Sequence, residues 1–236
     1  MLEAYQLIKD FDGHRAVNNV SLKIAPGELY CLLGANGAGK TTTINCFLGF
    51  LPVTSGRVLV DGLDVAKQPL EVKRRLAYLP EVVMLYPTLT GLENLDYFSR
   101  LAGYRHQPEL LITYLEKAGL PATDAKRRLG TYSKGMRQKV GIAIALSKQA
   151  KCLLLDEPTS GLDPGASNDF SRLLRELTGQ GMAVLMATHD IFRAKEVATH
   201  IGIMRNGELT DQLENKGTFQ AKELEEMYLQ TALLHR

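Results

Sequence analysis

Apolar residues in this chain gather in short, nearly unbroken runs, and between those runs they recur at helical spacing. The runs VSLKI (20–24), LYCLLG (29–34), RVLV (57–60), LAYLP (76–80), CLLLD (152–156), AVLMATH (183–189) and IGIM (201–204) predict strands. Several lack polar alternation, as expected of strands covered on both faces in a mostly parallel sheet. Asn206-Gly207 predicts a hairpin between IGIM and ELTD, because both residues tolerate the positive φ of a two-residue turn. Strand signals stop at about residue 91 and resume near 150. Within that gap LENLDYFSRLAGY, PELLITYLEKAG and the stretch after Ser133 carry the helical period, which predicts a helical insertion. At 163–179 Asp163 is placed as an N-cap, Pro164 takes the first helical position and Gly179 ends the helix. The stretch AKELEEMYLQTALLHR predicts a short amphipathic helix. The chain 1–236 therefore reads as one domain: a sheet core at 1–90 and 151–215, a helical part at about 91–150, and a short C-terminal helix at 216–236.

Composition narrows the class without naming it. With 236 residues, 45% hydrophobic and 23% charged, the chain is ordinary for a globular protein and unlike a disordered one. A net charge of +2 makes no case for nucleic acid or an anionic membrane as partner. Cys31, Cys46 and Cys152 sit inside apolar segments and read as reduced, buried thiols of a cytosolic protein. No apolar run reaches the ~18 residues of a membrane span. The start MLEAYQLIKDFDG has early acids and no long apolar core, so it does not read as a signal peptide.

The chemistry is concentrated at strand ends. GANGAGKTT (34–42) follows a strand and opens a helix, matching the phosphate-loop pattern in its required context. Gly34, Asn36, Gly37, Ala38 and Gly39 let backbone amides curl around phosphate oxygens, Lys40 reaches the β- and γ-phosphates, and Thr41, followed by Thr42, offers its hydroxyl to Mg²⁺. CLLLDEPTSGLDP (152–164) puts Asp156 at the C-terminal edge of a buried strand, where ligands bind in open α/β sheets. Asp156 is placed to hold Mg²⁺ through water, and Glu157 to polarise a water against the γ-phosphate. His189 ends a third such strand and is placed for a γ-phosphate or water contact. GTYSKGMRQK (130–139) poses a separate question. Ser133 is a good N-cap, yet Lys134 and Arg137 fall in the first helical turn, where the macrodipole disfavours a cation by about 0.3–1 kcal/mol. An anion would resolve the conflict.

GANGAGKTT, YSKGMRQ, LLLDEPTSGLDP and ATHD, in this order and spacing, resemble the nucleotide-binding subunit of an ABC transporter over nearly the whole chain. A phosphate loop alone suits kinases, GTPases or helicases; YSKGM ahead of the acidic strand separates them. The resemblance implies an α/β fold: a P-loop NTPase core with a mostly parallel sheet, an N-terminal antiparallel β portion and an inserted helical subdomain. It implies ATP and Mg²⁺ as ligands, and two subunits stacked head to tail. Ser133, Lys134 and Gly135 of one subunit would then touch the γ-phosphate held by the other, supplying the missing anion. By position Phe11 in KDFDGHRAV resembles the aromatic that stacks on adenine, an interaction worth ~1–3 kcal/mol; a core aromatic beside the first strand would leave the same trace. Ser160, Gly161, Leu162 and Asp163 resemble the loop that crosses between the subunits, and Asp163 is also the helix cap.

Two positions depart from the family pattern. The signature reads Tyr-Ser-Lys-Gly-Met where Leu-Ser-Gly-Gly-Gln is commoner, and Glu81 stands where the family usually has Gln. A carboxylate at Glu81 can still ligand Mg²⁺, or it is simply a solvated loop acid. MLYPTLTGLENLDYFSRLAGY (84–104) resembles the exporter-type subgroup, with Tyr86, Leu89 and Leu92 as candidates for docking the membrane partner or for packing under the insertion. The implied partners are a second copy of the chain or a homologous ATPase subunit, together with a separate multi-span membrane permease, and no nucleic acid. That places the chain in the cytoplasm, peripheral on the inner face of the cell membrane. The competing class is a soluble ABC ATPase of a cofactor-assembly machine. A regulatory module with a dead site is disfavoured because Lys40, Asp156, Glu157 and His189 are all present.

Overall fold

β1 (Leu2–Phe11) and β2 (His14–Ile24) pair antiparallel at the start of a chain whose residues 1–215 and 223–228 are described by a computed structural model. β3 (Leu29–Leu33) and α1 (Lys40–Phe47) follow, then β4 (Ser55–Val60), β5 (Leu63–Asp64), α2 (Pro69–Arg75) and β6 (Leu76–Leu79). The helical part holds α3 (Gly91–Leu101), α4 (Pro108–Lys117), α5 (Ala122–Ala125) and α6 (Lys134–Ser147). β7 (Cys152–Asp156), α7 (Pro164–Gly179), β8 (Ala183–Thr188), α8 (Ile191–Val197), β9 (His200–Arg205) and β10 (Glu208–Glu214) complete the order.

The continuous apolar runs form the large sheet, in the order β10-β9-β3-β8-β7-β6. Its strands are parallel except β10, which turns back antiparallel on β9 through the Asn206-Gly207 hairpin. Every residue of β3, β7 and β8 is buried, which explains their lack of alternation. Leu29, Cys31 and Leu33 face a core shared with α6, α7 and the helical part, whereas Tyr30 and Leu32 face a second core under α1 and the antiparallel sheet. That second sheet has the order β2-β1-β4-β5.

β1 is missing from the sequence prediction for a physical reason. Its buried apolar residues are Leu2, Ala4 and Leu7, so the two-residue period breaks where Gln6 adopts φ +47° and the register shifts. Asn19, at φ +52°, resets β2 in the same way between Val17 and Val20. α2, β5 and α8 were also not predicted; each is short. α3 starts with a capping box, in which Glu93 N–H donates to Thr90 Oγ1 at 3.1 Å and Thr90 N–H donates to Glu93 Oε2 at 2.7 Å. α7 begins at Pro164, as predicted, with Ala166 N–H donating to Asp163 Oδ1 at 2.9 Å. Lys148, just after α6, ties the helical part to the core by donating to the carbonyls of Lys73 and Leu76 at 2.9 and 2.8 Å.

Residues 223–228 are helical; Leu224 is buried in the α6–α7 core, and Met227 and Tyr228 pack against it. The remainder of the predicted C-terminal helix lies outside the described residues. Cys31, Cys46 and Cys152 are buried and form no disulfide. Among the described residues, no helix is long and apolar enough to cross a membrane.

Candidate active site

β3, β8 and β7 are neighbours and run parallel, so their C-terminal ends open at one edge. After β3 the chain turns sharply, with Gly34 N–H donating to the Thr188 carbonyl at 3.2 Å. A Cβ on Gly34 would fall 2.4 Å from the Met204 carbonyl oxygen, and one on Gly39 2.5 Å from that of Ala16. Gly39 also holds φ +104° at the N-cap of α1, where no side chain caps the helix. The first amides of α1 are thus left for an anion.

Lys40, only 5% exposed, donates from Nζ to the carbonyls of Gly34 and Ala35 at 2.6 and 3.1 Å, and lies 3.6 Å from Glu157 Oε1. One residue on, Thr41 Oγ1 donates to Asp156 Oδ1 at 3.2 Å. Burial pushes the Asp156 carboxyl above its ordinary value; the Thr41 hydroxyl opposes this, the Glu157 charge adds to it, the Lys40 charge opposes it, and the Glu81 charge adds to it. Glu157 turns out of the strand with φ +45°, a conformation that costs a non-glycine residue about 1 kcal/mol or more. Its N–H donates to the Ala187 carbonyl at 2.9 Å. Its Oε2 accepts from Thr188 Oγ1 at 3.2 Å and stands 3.0 Å from His189 Nδ1. Its other oxygen, Oε1, is buried, accepts no hydrogen bond and faces Lys40.

Phe11, Asn36, Gly37, Ala38, Gly39, Lys40, Thr41, Thr42, Glu81, Asp156 and Glu157 line one cleft. Gly34 lies at its base through the Lys40 bond, and His189 at its rim through Glu157. Phe11 is 40% exposed, with the Lys9 ammonium 4.7 Å from its ring centroid. Ser133 and Gly135 lie elsewhere, in a separate hollow with Leu162 and Ala166. There the Ser133 hydroxyl accepts from Met136 N–H at 3.2 Å, and Asp163 caps α7. Lys134 stands between the two regions, 4.0 Å from Glu81. Four contributors were not legible as such in the sequence. His14 and Ala16 line the cleft, Thr188 holds Glu157, and Gln138 Nε2 donates to the Pro158 carbonyl, fixing α6 to the loop after Glu157. Gln138 carries one trace in the sequence: it is a polar residue on the same buried stripe as Val140, Ile142, Ala143 and Ala145.

Among the described residues no group of three or more His, Cys, Asp or Glu could hold a metal alone. The Thr41–Asp156 pair suits a hard cation that completes its shell with water and phosphate oxygens, as Mg²⁺ does. Glu81 lies in the same cleft but accepts a hydrogen bond from Ser160 Oγ at 2.9 Å.

The ABC transporter family model matches residues 17–160, which hold the phosphate loop and the Asp156-Glu157 strand end. The chain belongs to the ABC transporter family. It is an ATP-binding subunit of that family and an ATPase. It is 34% identical over 211 residues to the linearmycin resistance ATP-binding protein LnrL of Bacillus subtilis, covering 89% of this chain and 68% of that one. It is 33% identical over 214 residues to the bacitracin transport ATP-binding protein BcrA of Bacillus licheniformis, covering 90% and 69%. Among solved structures, a dimeric post-hydrolysis ATP-binding cassette bound to ADP and Pi matches with a TM-score of 0.80 at 26% identity, covering 92% of this chain and 100% of that one.

The raised Asp156 carboxyl carries a stability consequence. Its ionised form is disfavoured in the nucleotide-free fold, so Asp156→Asn is expected to raise the thermal midpoint of the nucleotide-free ABC ATPase at pH 7. The gain is present above the raised native value and fades as pH falls toward the ordinary 3.8, where the native carboxyl is protonated. Thermal unfolding from pH 7 to pH 4 measures it; a variant less stable than the parent throughout contradicts the burial argument.

Proposed function

We propose that this ABC ATPase closes as a head-to-tail dimer around two ATP molecules and powers a separate multi-span membrane permease in export. The observation that carries the dimer is the separation of Ser133 and Gly135 from the phosphate-loop cleft of their own subunit. The start of α6 has no acidic residue in its first turn, so its polarised amides await an anion that a second subunit can bring. The dimeric cassette holding ADP and Pi supports this arrangement. In the proposed dimer, the Ser160–Asp163 loop lies at the crossing between subunits.

Within each site Lys40 and the amides of 34–41 bind the phosphates, and Phe11 stacks on adenine. Thr41 and Asp156 hold Mg²⁺, which neutralises charge on the phosphates. Glu157 takes a proton from the attacking water as the oxygen bonds to the γ-phosphorus and the bond to the bridging oxygen breaks, leaving ADP and phosphate. Thr188 and His189 hold one oxygen of Glu157, and the other is free of hydrogen bonds and can receive that proton.

Export is supported by the similarity to LnrL, a linearmycin resistance ATP-binding protein, and to BcrA, a bacitracin transport ATP-binding protein. A docking face for the permease is supported by an exposed apolar strip in which Met84, Tyr86, Tyr97 and Leu101 are 81, 46, 43 and 70% exposed. Tyr86 and Tyr97 stack edge to face at 5.1 Å. Leu92 packs on the core and Leu89 is half-buried, so of the docking candidates named from sequence only Tyr86 is freely presented. The subunit then sits on the cytoplasmic face of the membrane through its permease.

Glu157→Gln is expected to bind ATP, to lose about 10²–10⁴-fold in turnover and to accumulate a dimer visible by light scattering. Near parental turnover would remove Glu157 from the role of base. For the permease, affinity purification from detergent-solubilised host membranes is expected to bring down a stoichiometric multi-span protein that Met84→Asp releases. Recovery of soluble partners alone contradicts the exporter reading and favours a cofactor-assembly ATPase.

A further inference from the structure

The acid and the cation that depart from the family's commoner pattern stand against each other in this fold. Glu81, on the loop after β6, accepts from Ser160 Oγ, and its Oε1 lies 4.0 Å from Lys134 Nζ. The same ammonium is 3.8 Å from where a Cβ on Gly161 would stand, so it lies against the loop that follows Glu157. Lys134 occupies the first position of α6, a helix whose opening turn contains no acid. Glu81 therefore offsets the Lys134 ammonium at this helix start with a negative charge from another element. Glu81 also forms part of the nucleotide cleft wall. One carboxylate thus faces both the nucleotide cleft and the signature helix. The side chains of the pair are 34% and 52% exposed, which is too open for the contact to add much stability. An exposed pair of this kind separates readily, and a more highly charged anion outcompetes a carboxylate for the ammonium.

We propose that Glu81 is a positioning residue that parks Lys134 in the nucleotide-free subunit. When the dimer closes, the Lys134 ammonium leaves Glu81 for the terminal phosphate of the nucleotide bound by the partner subunit. The inference rests on the head-to-tail dimer proposed above. One anion is exchanged for another and no covalent bond changes. ATP, which has a γ-phosphate, draws Lys134 across; ADP does not, so the pair reforms as the dimer opens.

The test measures ATP-driven dimerisation by light scattering in the Glu157→Gln background. Glu81→Gln removes the competitor for Lys134 and is expected to lower the half-saturating ATP concentration about two- to fivefold, the range of an exposed ion pair. Lys134→Gln is expected to raise that concentration, and Lys134→Arg to return it to the parental value. In the Lys134→Gln background the Glu81→Gln shift should fall to less than half its size. A shift that keeps more than half its size there, or no shift in the parent, overturns the latch and leaves Glu81 acting on the cleft alone or not at all. Failure of Lys134→Arg to restore the parental value overturns it as well. A parent that forms no dimer at any ATP concentration overturns the dimer reading itself, and the latch with it.

Discussion

The burial of the Lys40 ammonium is the constraint on which the cleft depends. A buried cation costs several kcal/mol unless it is paired and hydrogen-bonded, and Lys40 meets that demand with two carbonyls of its own loop and the Glu157 carboxylate. Those partners require Gly34 and Gly39 to pass within contact distance of the backbone at Met204 and Ala16, where no larger residue fits. They also require β3 and β7 to end at the same level, as their shared pairing with β8 ensures. On the proposed reading, entering phosphate takes over the ammonium, and Glu157 Oε1 is released to face water. The contact that stabilises the empty loop is the one that nucleotide replaces.

The acids around this cation have divided duties because their surroundings differ. Asp156 is buried and bonded to Thr41, a placement that penalises its charge. Glu157 is held by Thr188 and His189 at one oxygen only. Glu81 is exposed and engaged with Ser160 and Lys134. Three carboxylates about one cleft repel one another, and each is offset by a separate partner.

Much of this was legible in the sequence because it is local. The buried strands β3, β7 and β8 are continuous apolar runs, and the residues that follow each run are those found at the cleft. Asp163, Pro164 and Asn206-Gly207 marked their cap and turn through short-range stereochemistry. β1 was not legible, since a positive φ at Gln6 breaks the alternation that reveals a half-buried strand. Pairings that span the chain left no local trace of the partner, even where a buried polar residue such as Gln138 marked one end. Thr188 on Glu157, Gln138 on Pro158 and Lys134 on Glu81 depend on how distant strand ends and loops meet in the folded sheet.

Lys40 as the group that binds phosphate is tested most directly by equilibrium binding of ATP, measured by calorimetry on the parent and on Lys40→Ala. Loss of a charge-assisted contact worth about 1.5–3 kcal/mol is expected to weaken ATP binding at least tenfold in a variant that keeps its circular dichroism spectrum. A folded Lys40→Ala protein with parental ATP affinity would contradict the assignment of this cleft as the nucleotide site.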